Sequence, residues 1–342
     1  MTAPTKNKAG ATEPGEKSLP VFTEETAHEA GFSAHYDRHI RHRVVDFETT
    51  RKASVASFQS RLVILCATIL LVIGGHYFGY SGLSESNSLL PFTLVASALL
   101  LAVGAVFTYA PLAHYRSAVK NQIFPLIIEF FGPFEYQPAP GERVRPLKPF
   151  GIVPDYTIEK NEDRFVGNYL GVPIELFETE LVLKRKTGRK ERSVTVFKGV
   201  MVLLDIHKKF SGQTLIRKDE GRITNWFRAA TDRLERVRLE DVEFESEFAV
   251  YSDDQIEARY LLTTSFMQRL LALRTRYGGK AIECSFYQNK LLMMVPMRLN
   301  LFEPGSVFET EDFIDDARSL LRELHSIFQI IDALKLNQKT GL

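Results

Sequence analysis

Two uninterrupted apolar runs constrain this chain more than any other feature. Residues 62–80 (LVILCATILLVIGGHYFGY) and 89–113 (LLPFTLVASALLLAVGAVFTYAPLA) contain no Asp, Glu, Lys or Arg. A helix rises about 1.5 Å per residue, so about 20 residues cross a hydrocarbon core of about 30 Å, and both runs are long enough. Only SGLSESNS, residues 81–88, separates them, which predicts a transmembrane hairpin. The first run begins after 61 residues, unlike the placement of a cleaved signal peptide.

Charge around the runs sets an expected orientation. The connecting loop has one Glu and no Lys or Arg, whereas Arg38, Arg41, Arg43, Arg51, Lys52 and Arg61 precede the first run and Arg116 and Lys120 follow the second. Basic residues are retained on the cytoplasmic side, so the N-terminus and everything after residue 113 are expected there, in a multi-pass protein of a bacterial inner membrane. His76, Tyr77, Tyr80 and Tyr109 lie near the run ends, where amphipathic rings anchor. The formal net charge is +1, which gives no bulk bias toward nucleic acid. The two cysteines, Cys66 and Cys284, lie in different regions, which fits a reducing compartment without a disulfide.

The rest of the chain divides by composition. Residues 1–32 have few large apolar side chains and read as a flexible tail. Residues 33–136 carry the hairpin with helical extensions: Tyr36, Ile40, Val44, Phe47, Val55, Phe58 and Leu62 recur at helical spacing with one gap at Arg51, and Val119, Ile123, Leu126, Ile127 and Phe130 continue the pattern after the second run. Residues 137–155, with five prolines and two glycines, read as a linker. Beyond it, ELFETELVLKRK, SVTVFKGVMVLLDIHK, GQTLIRKD, LERVRLED and FAVYS read as strands, followed by helix over about 254–277, the strand pair AIECSFYQ and KLLMMVPM, and a closing helix over about 311–336. Residues 156–342 are thus expected to form a self-contained cytoplasmic α+β domain, a mixed sheet with packed helices. Its expected core includes Val202, Leu204, Phe248, Tyr260, Phe266, Leu270 and Phe286.

Few side chains stand out chemically. The tip LKRKTGRKER holds Lys184, Arg185, Lys186, Arg189, Lys190 and Arg192, a candidate contact for anionic lipid headgroups; the plainer reading is a solvated hairpin whose charges prevent aggregation. His35, His39 and His42 fall at helical spacing, but no second ligand cluster completes a metal site. In RLEDVEFESEF, Val242, Phe244 and Phe248 alternate with Glu243, Glu245 and Glu247, which reads as a strand with a solvated acidic face. Ser252 and Gln255 are spaced as a capping box. Gly278-Gly279-Lys280 reads as a helix stop, and Trp226-Phe227 as a packing or partner site. No catalytic, cofactor or metal site is assigned, and no cofactor is expected.

The stretch from Phe197 to Glu303 resembles a known family through FKG at 197–199, the run VYSDDQIEARYLLT, and LFEP at 301–304. The family is the bacterial membrane-associated one catalogued as domain of unknown function 3137. The resemblance implies a transmembrane pair ahead of this domain and an inner-membrane location, and it supplies no reaction. The leading expectation is a membrane-anchored interaction or regulatory module, with the lipid bilayer and an unidentified protein as partners and no nucleic acid. The alternative is an enzyme on a lipid-linked or membrane-proximal substrate, with Asp205, His207, Asp253, Asp254 and Arg259 as its polar cluster.

Overall fold

The computed structural model of this chain describes residues 20–82, 90–187, 190–206, 209–218, 233–279, 282–297, 303–310 and 312–333. After a short helix α1 (Phe32–His39), helix α2 runs from Arg41 to Gly82 and α3 from Leu90 to Gln122, followed by α4 (Phe124–Ile128). Both apolar runs are therefore continuous with stalk helices. In their most apolar windows only 0% and 6% of the residues are buried, and Leu71, Phe78, Phe92 and Val106 are 72–76% exposed. Lower down, the same helices bury Val44, Phe47, Leu112, Tyr115 and Val119.

Pro111 lies inside α3 and has no N–H, which leaves the carbonyl of Phe107 without its helical donor. Arg61 of α2 supplies one. Its Nη1 donates to Phe107 O over 2.8 Å, and its guanidinium lies 4.1 Å from the centre of the Phe107 ring. The gap in the apolar seam at Arg51 is also filled: Arg51 is buried, its Nε donates to Glu48 over 2.6 Å, and its Nη1 donates to Val307 O over 2.9 Å.

The strands are β1 (Phe134–Gln137), β2 (Ile158–Tyr169), β3 (Val172–Thr187), β4 (Lys190–Asp205), β5 (Thr214–Lys218), β6 (Glu235–Val237), β7 (Phe248–Ser252), β8 (Glu283–Tyr287) and β9 (Lys290–Pro296). Among the described residues they form one sheet in the order β1-β2-β3-β4-β9-β8-β5-β7-β6. Every described pair is antiparallel, so the sheet is not mixed as expected. The tight turn at Gln288-Asn289, both at positive φ, joins β8 directly to β9. The apolar run Val200–Leu204 lies between β3 and β9, the centre that its composition requires. At Gly199, within FKG, the β9 backbone leaves no room for a side chain, since a Cβ there would stand 2.1 Å from Val295 O.

Period-2 alternation sends the sheet's side chains to two faces. Leu176, Val200, Val202, Leu204, Ile216 and Met293 join one large core with the stalk and with the remaining helices, α5 (Val242–Glu247), α6 (Gln255–Leu261), α7 (Thr264–Arg276) and α8 (Ile314–Ala333). Phe177, Leu181, Met201, Leu215, Leu292 and Met294 form a smaller core with Val144, Leu147, Phe150, Ile152 and Val153.

Those last five residues lie in the segment expected to be a linker. It is instead a strap, with a 3-10 turn at Arg145–Phe150 whose prolines need no donors and whose apolar side chains cover the second face. The expected tail also packs from residue 20 onward. Phe22 is buried against Phe32 and Tyr36, and Glu29 accepts from Glu25 N while pairing with Arg318 of α8.

Three local expectations change. VEFESEF is helix α5 before it is strand β7, because the Asp241 carboxylate accepts from Phe244 N and caps it; Val242 is 82% exposed and Phe244 fully buried. The N-cap of α6 is Asp254, accepting from Ile256 N and Glu257 N, whereas Ser252 Oγ accepts from Asp254 N. Tyr260 is exposed, while the other six expected core residues are buried. Gly278, at φ +67°, ends α7 as expected.

Candidate functional site

The cationic tip is the end of the β3–β4 hairpin. Pairing of β2 with β3 stops at Ile158↔Val182, and pairing of β9 with β4 stops at Gly199↔Pro296. Past those limits, among the described residues, only β3 and β4 remain paired as strands, through Leu183↔Val194, Lys184↔Ser193, Arg185↔Arg192, Lys186↔Glu191 and Thr187↔Lys190, with Lys184 N also donating to Thr157 Oγ1 over 3.2 Å. A register shift between Leu181 and Val182 marks a bulge at the ribbon's base, the usual place for a sheet to bend. Lys184, Arg185, Lys186 and Arg192 are all exposed. Lys184 pairs with Glu191 at 3.7 Å; among the described residues no ion pair is formed by Arg185, Lys186 or Arg192. Arg189 lies outside the described residues, as does the side chain of Lys190.

A second polar site joins the stalk to the sheet. At the bulge between Glu162 and Phe165, Asp163 sits at φ 49° with 1% of its surface exposed. Lys120 of α3 donates to its Oδ2 over 2.8 Å and to Glu303 over 2.9 Å, and the Tyr136 hydroxyl donates to its Oδ1 over 2.5 Å. Burial pushes the Asp163 carboxyl up, while Lys120 and Tyr136 pull it back. Burial alone would lower Lys120, but hydrogen bonds to Asp163 and Glu303 outweigh it and hold the ammonium above its ordinary range. Lys120 and Asp163 thus form a hydrogen-bonded salt bridge between stalk and sheet. Oxygens of Glu162, Asp163 and Glu178 lie within 4.8 Å of one another, a spacing open to a metal ion, yet the Lys120 ammonium already places a cation on Asp163.

The remaining candidates are apart from both. His35 Nε2 contacts Leu126 O at 2.6 Å and stacks on His39, with ring centres 4.6 Å apart; α1 ends between His39 and His42, which is exposed, so one helix face does not carry all three rings. Of the polar residues weighed for catalysis, Asp205 pairs with Lys290, Asp253 accepts from Gln213 N over 2.7 Å, Asp254 caps α6, and Arg259 donates to Gln255 O and Arg238 O. His207, Lys280, Trp226 and Phe227 lie outside the described residues. A pocket on the stalk-facing side of the sheet is bordered by Lys160, Glu162, Glu178, Glu180 and Lys198; none of the residues weighed for catalysis lines it.

No curated protein matches the chain. Among solved structures, the crystal structure of the mycobacterial trehalose monomycolate transport factor A, TtfA, is similar at 12% identity, covering 66% of this chain and 99% of that one with a TM-score of 0.35, a likeness too low to carry an argument. Residues 195–336 match the family described as protein of unknown function (DUF3137), the stretch that holds FKG, the VYSDDQIEARYLLT run and LFEP. It is over that stretch, residues 195–336, that the chain is similar to the DUF3137 family.

Proposed function

We propose that the chain is a membrane-anchored interaction or regulatory module. It crosses a bacterial inner membrane twice and holds its sheet against the cytoplasmic surface. One observation carries this reading: the apolar windows of α2 and α3 touch each other but are almost wholly unburied, while the lower halves of the same helices are built into the sheet's larger core. Side chains such as Leu71, Phe78 and Phe92 would cost about 25 cal/mol per Å² in water, whereas a bilayer covers them. A stalk sharing a core with the sheet fixes the distance between sheet and bilayer instead of leaving the sheet on a loose tether. Asp253 and Asp254 are occupied by backbone amides and Asp205 by Lys290, so the enzyme alternative gains nothing from their geometry.

Orientation is tested with single cysteines in a Cys66→Ala background, Cys284 being buried. Ser84→Cys should react with an impermeant thiol reagent added to whole cells, and Lys160→Cys only after lysis. Labelling at 160 with protection at 84 would reverse the topology, and extraction of the chain by alkaline carbonate would refute membrane crossing.

A further inference from the structure

We propose that the β3–β4 ribbon is a second membrane contact, with Lys184, Arg185, Lys186 and Arg192 lying on anionic lipid headgroups of the leaflet beside the stalk. The inference rests on the reading that α2 and α3 span the bilayer.

The direction of the ribbon follows from contacts between stalk and sheet. Far from the apolar runs, Phe131 packs on Phe328 at 4.9 Å between ring centres, Phe328 stacks on Tyr169 at 4.1 Å, and Phe134 pairs with Gly167. Nearer the runs, Lys120 holds Asp163. Walking up the stalk from Phe131 to Lys120 therefore means walking back along β2 from Tyr169 to Asp163. Continuing the same way, β2 reaches Ile158, whose partner is Val182, and the ribbon begins there. It leaves the sheet on the side of the apolar runs.

Its reach is sufficient. From Lys120 back to Ala113, the end of the second run, is about 10 Å of helix. From Asp163 to Ile158 and on along residues 183–187 is about 30 Å of strand. A strand lying well off the stalk axis, or bent at the bulge, still brings the ribbon to the level of the headgroups.

The ribbon's chemistry suits that surface. Arg185 and Arg192 are direct cross-strand partners, an arrangement that like charges disfavour without an anion nearby. On the same face stand Leu183 and Val194, the latter 48% exposed. Two guanidiniums beside exposed aliphatic carbons match a phosphate layer above acyl chains, since guanidinium binds phosphate oxygens in pairs. On the other face Lys184 and Lys186 add charge at roughly five-fold in membrane partitioning per basic residue.

The test uses the full chain with Cys66→Ala and Ser193→Cys, labelled at 193 with an environment-sensitive fluorophore and reconstituted into phosphatidylcholine bilayers with or without phosphatidylglycerol. With phosphatidylglycerol the emission should shift to the blue. The shift should fade as salt shortens the screening length from about 8 Å. Replacing Lys184, Arg185, Lys186 and Arg192 with Gln should lower the docked fraction about ten-fold or more, with the melting temperature unchanged. Emission independent of phosphatidylglycerol, or equal in the Gln variant, overturns the proposal. Carbonate extraction of the same samples separates the two readings: a chain that resists extraction but shows no lipid-dependent shift refutes the ribbon contact alone, whereas an extracted chain refutes the spans as well.

Discussion

The two faces of the sheet are covered by different means. On one face Phe47, Tyr115, Ile127, Phe313 and Phe328, drawn from the stalk, α8 and the segment before it, interlock with Val200, Val202 and Leu204. On the other a single proline-rich strap lays Val144, Leu147, Phe150 and Ile152 over Phe177, Met201 and Leu292. The first face is sealed in part by the helices that carry the apolar runs, and the second by a segment with one 3-10 turn and no α-helix or strand. The sheet's stability is thus tied to the long stalk helices on one side and local on the other. The strap and part of the first cover thus come from before residue 156, the expected start of the domain, and the rest of the first cover from α8 and the other helices after it.

The largest effect should come from removing the stalk and the strap together. A fragment of residues 156–342 lacks the stalk and the strap, and is expected to aggregate or to melt without a cooperative transition in calorimetry. A sharp transition equal to that of the full chain would mean that the shared core contributes little. Single truncations grade the two faces. Phe47→Ala removes a ring packed at 5.4 Å from Phe313 and 6.2 Å from Tyr115 and should cost about 3–5 kcal/mol, whereas Leu147→Ala under the strap should cost about 2–3 kcal/mol in denaturant unfolding. Equal losses would erase the difference between the faces.

The smallest effect is one of pH. Asp316, near the start of α8, accepts from Gly305 N over 3.1 Å, and burial pushes its carboxyl up to about 6, with Asp315 and Asp312 adding to the rise. A carboxyl raised in the folded state stabilises most below its unfolded value near 4, and that contribution is lost as pH rises through 6. Asp316→Asn keeps an acceptor for Gly305 without the charge. It should therefore be more stable than wild type at pH 7.5, by on the order of 2–3 kcal/mol, with the gap closing toward pH 4. A gap that does not change with pH would place the effect in packing.

What the sequence disclosed follows from periodicity. The spans, the stalk seam, the central strand at Val200–Leu204 and the closing helix all carry apolar side chains at regular intervals, and regular intervals survive any tertiary context. Arg51 broke the seam because its aliphatic stem packs while its guanidinium finds Glu48 and a backbone carbonyl. Strand β2 was missed because EKNEDRF is polar; it pairs through its backbone with β3 while Glu159 and Arg164 satisfy neighbouring polar groups. The strap has no period at all, and its prolines read as a break although its apolar residues are buried. Helix α5 mimicked a strand because a single capping Asp decides a stretch whose alternation fits two geometries. Of the candidate site, the cations and their hairpin were legible, but the length of free ribbon was not, since it depends on where two neighbouring strands end.

Helix α2 is a single element of 42 residues, about 63 Å long, and on the proposed topology about half of that length lies below the bilayer. It is a lever. Membrane helices adjust tilt to hydrocarbon thickness, and a change of about 10° at the spans swings the Arg41 end by about 5 Å, close to one helical turn. Near that end Phe47 packs on Tyr115 and on Phe313, just before α8, so on that topology a thinner or thicker bilayer would reach the sheet's larger core as a displacement, without any ligand.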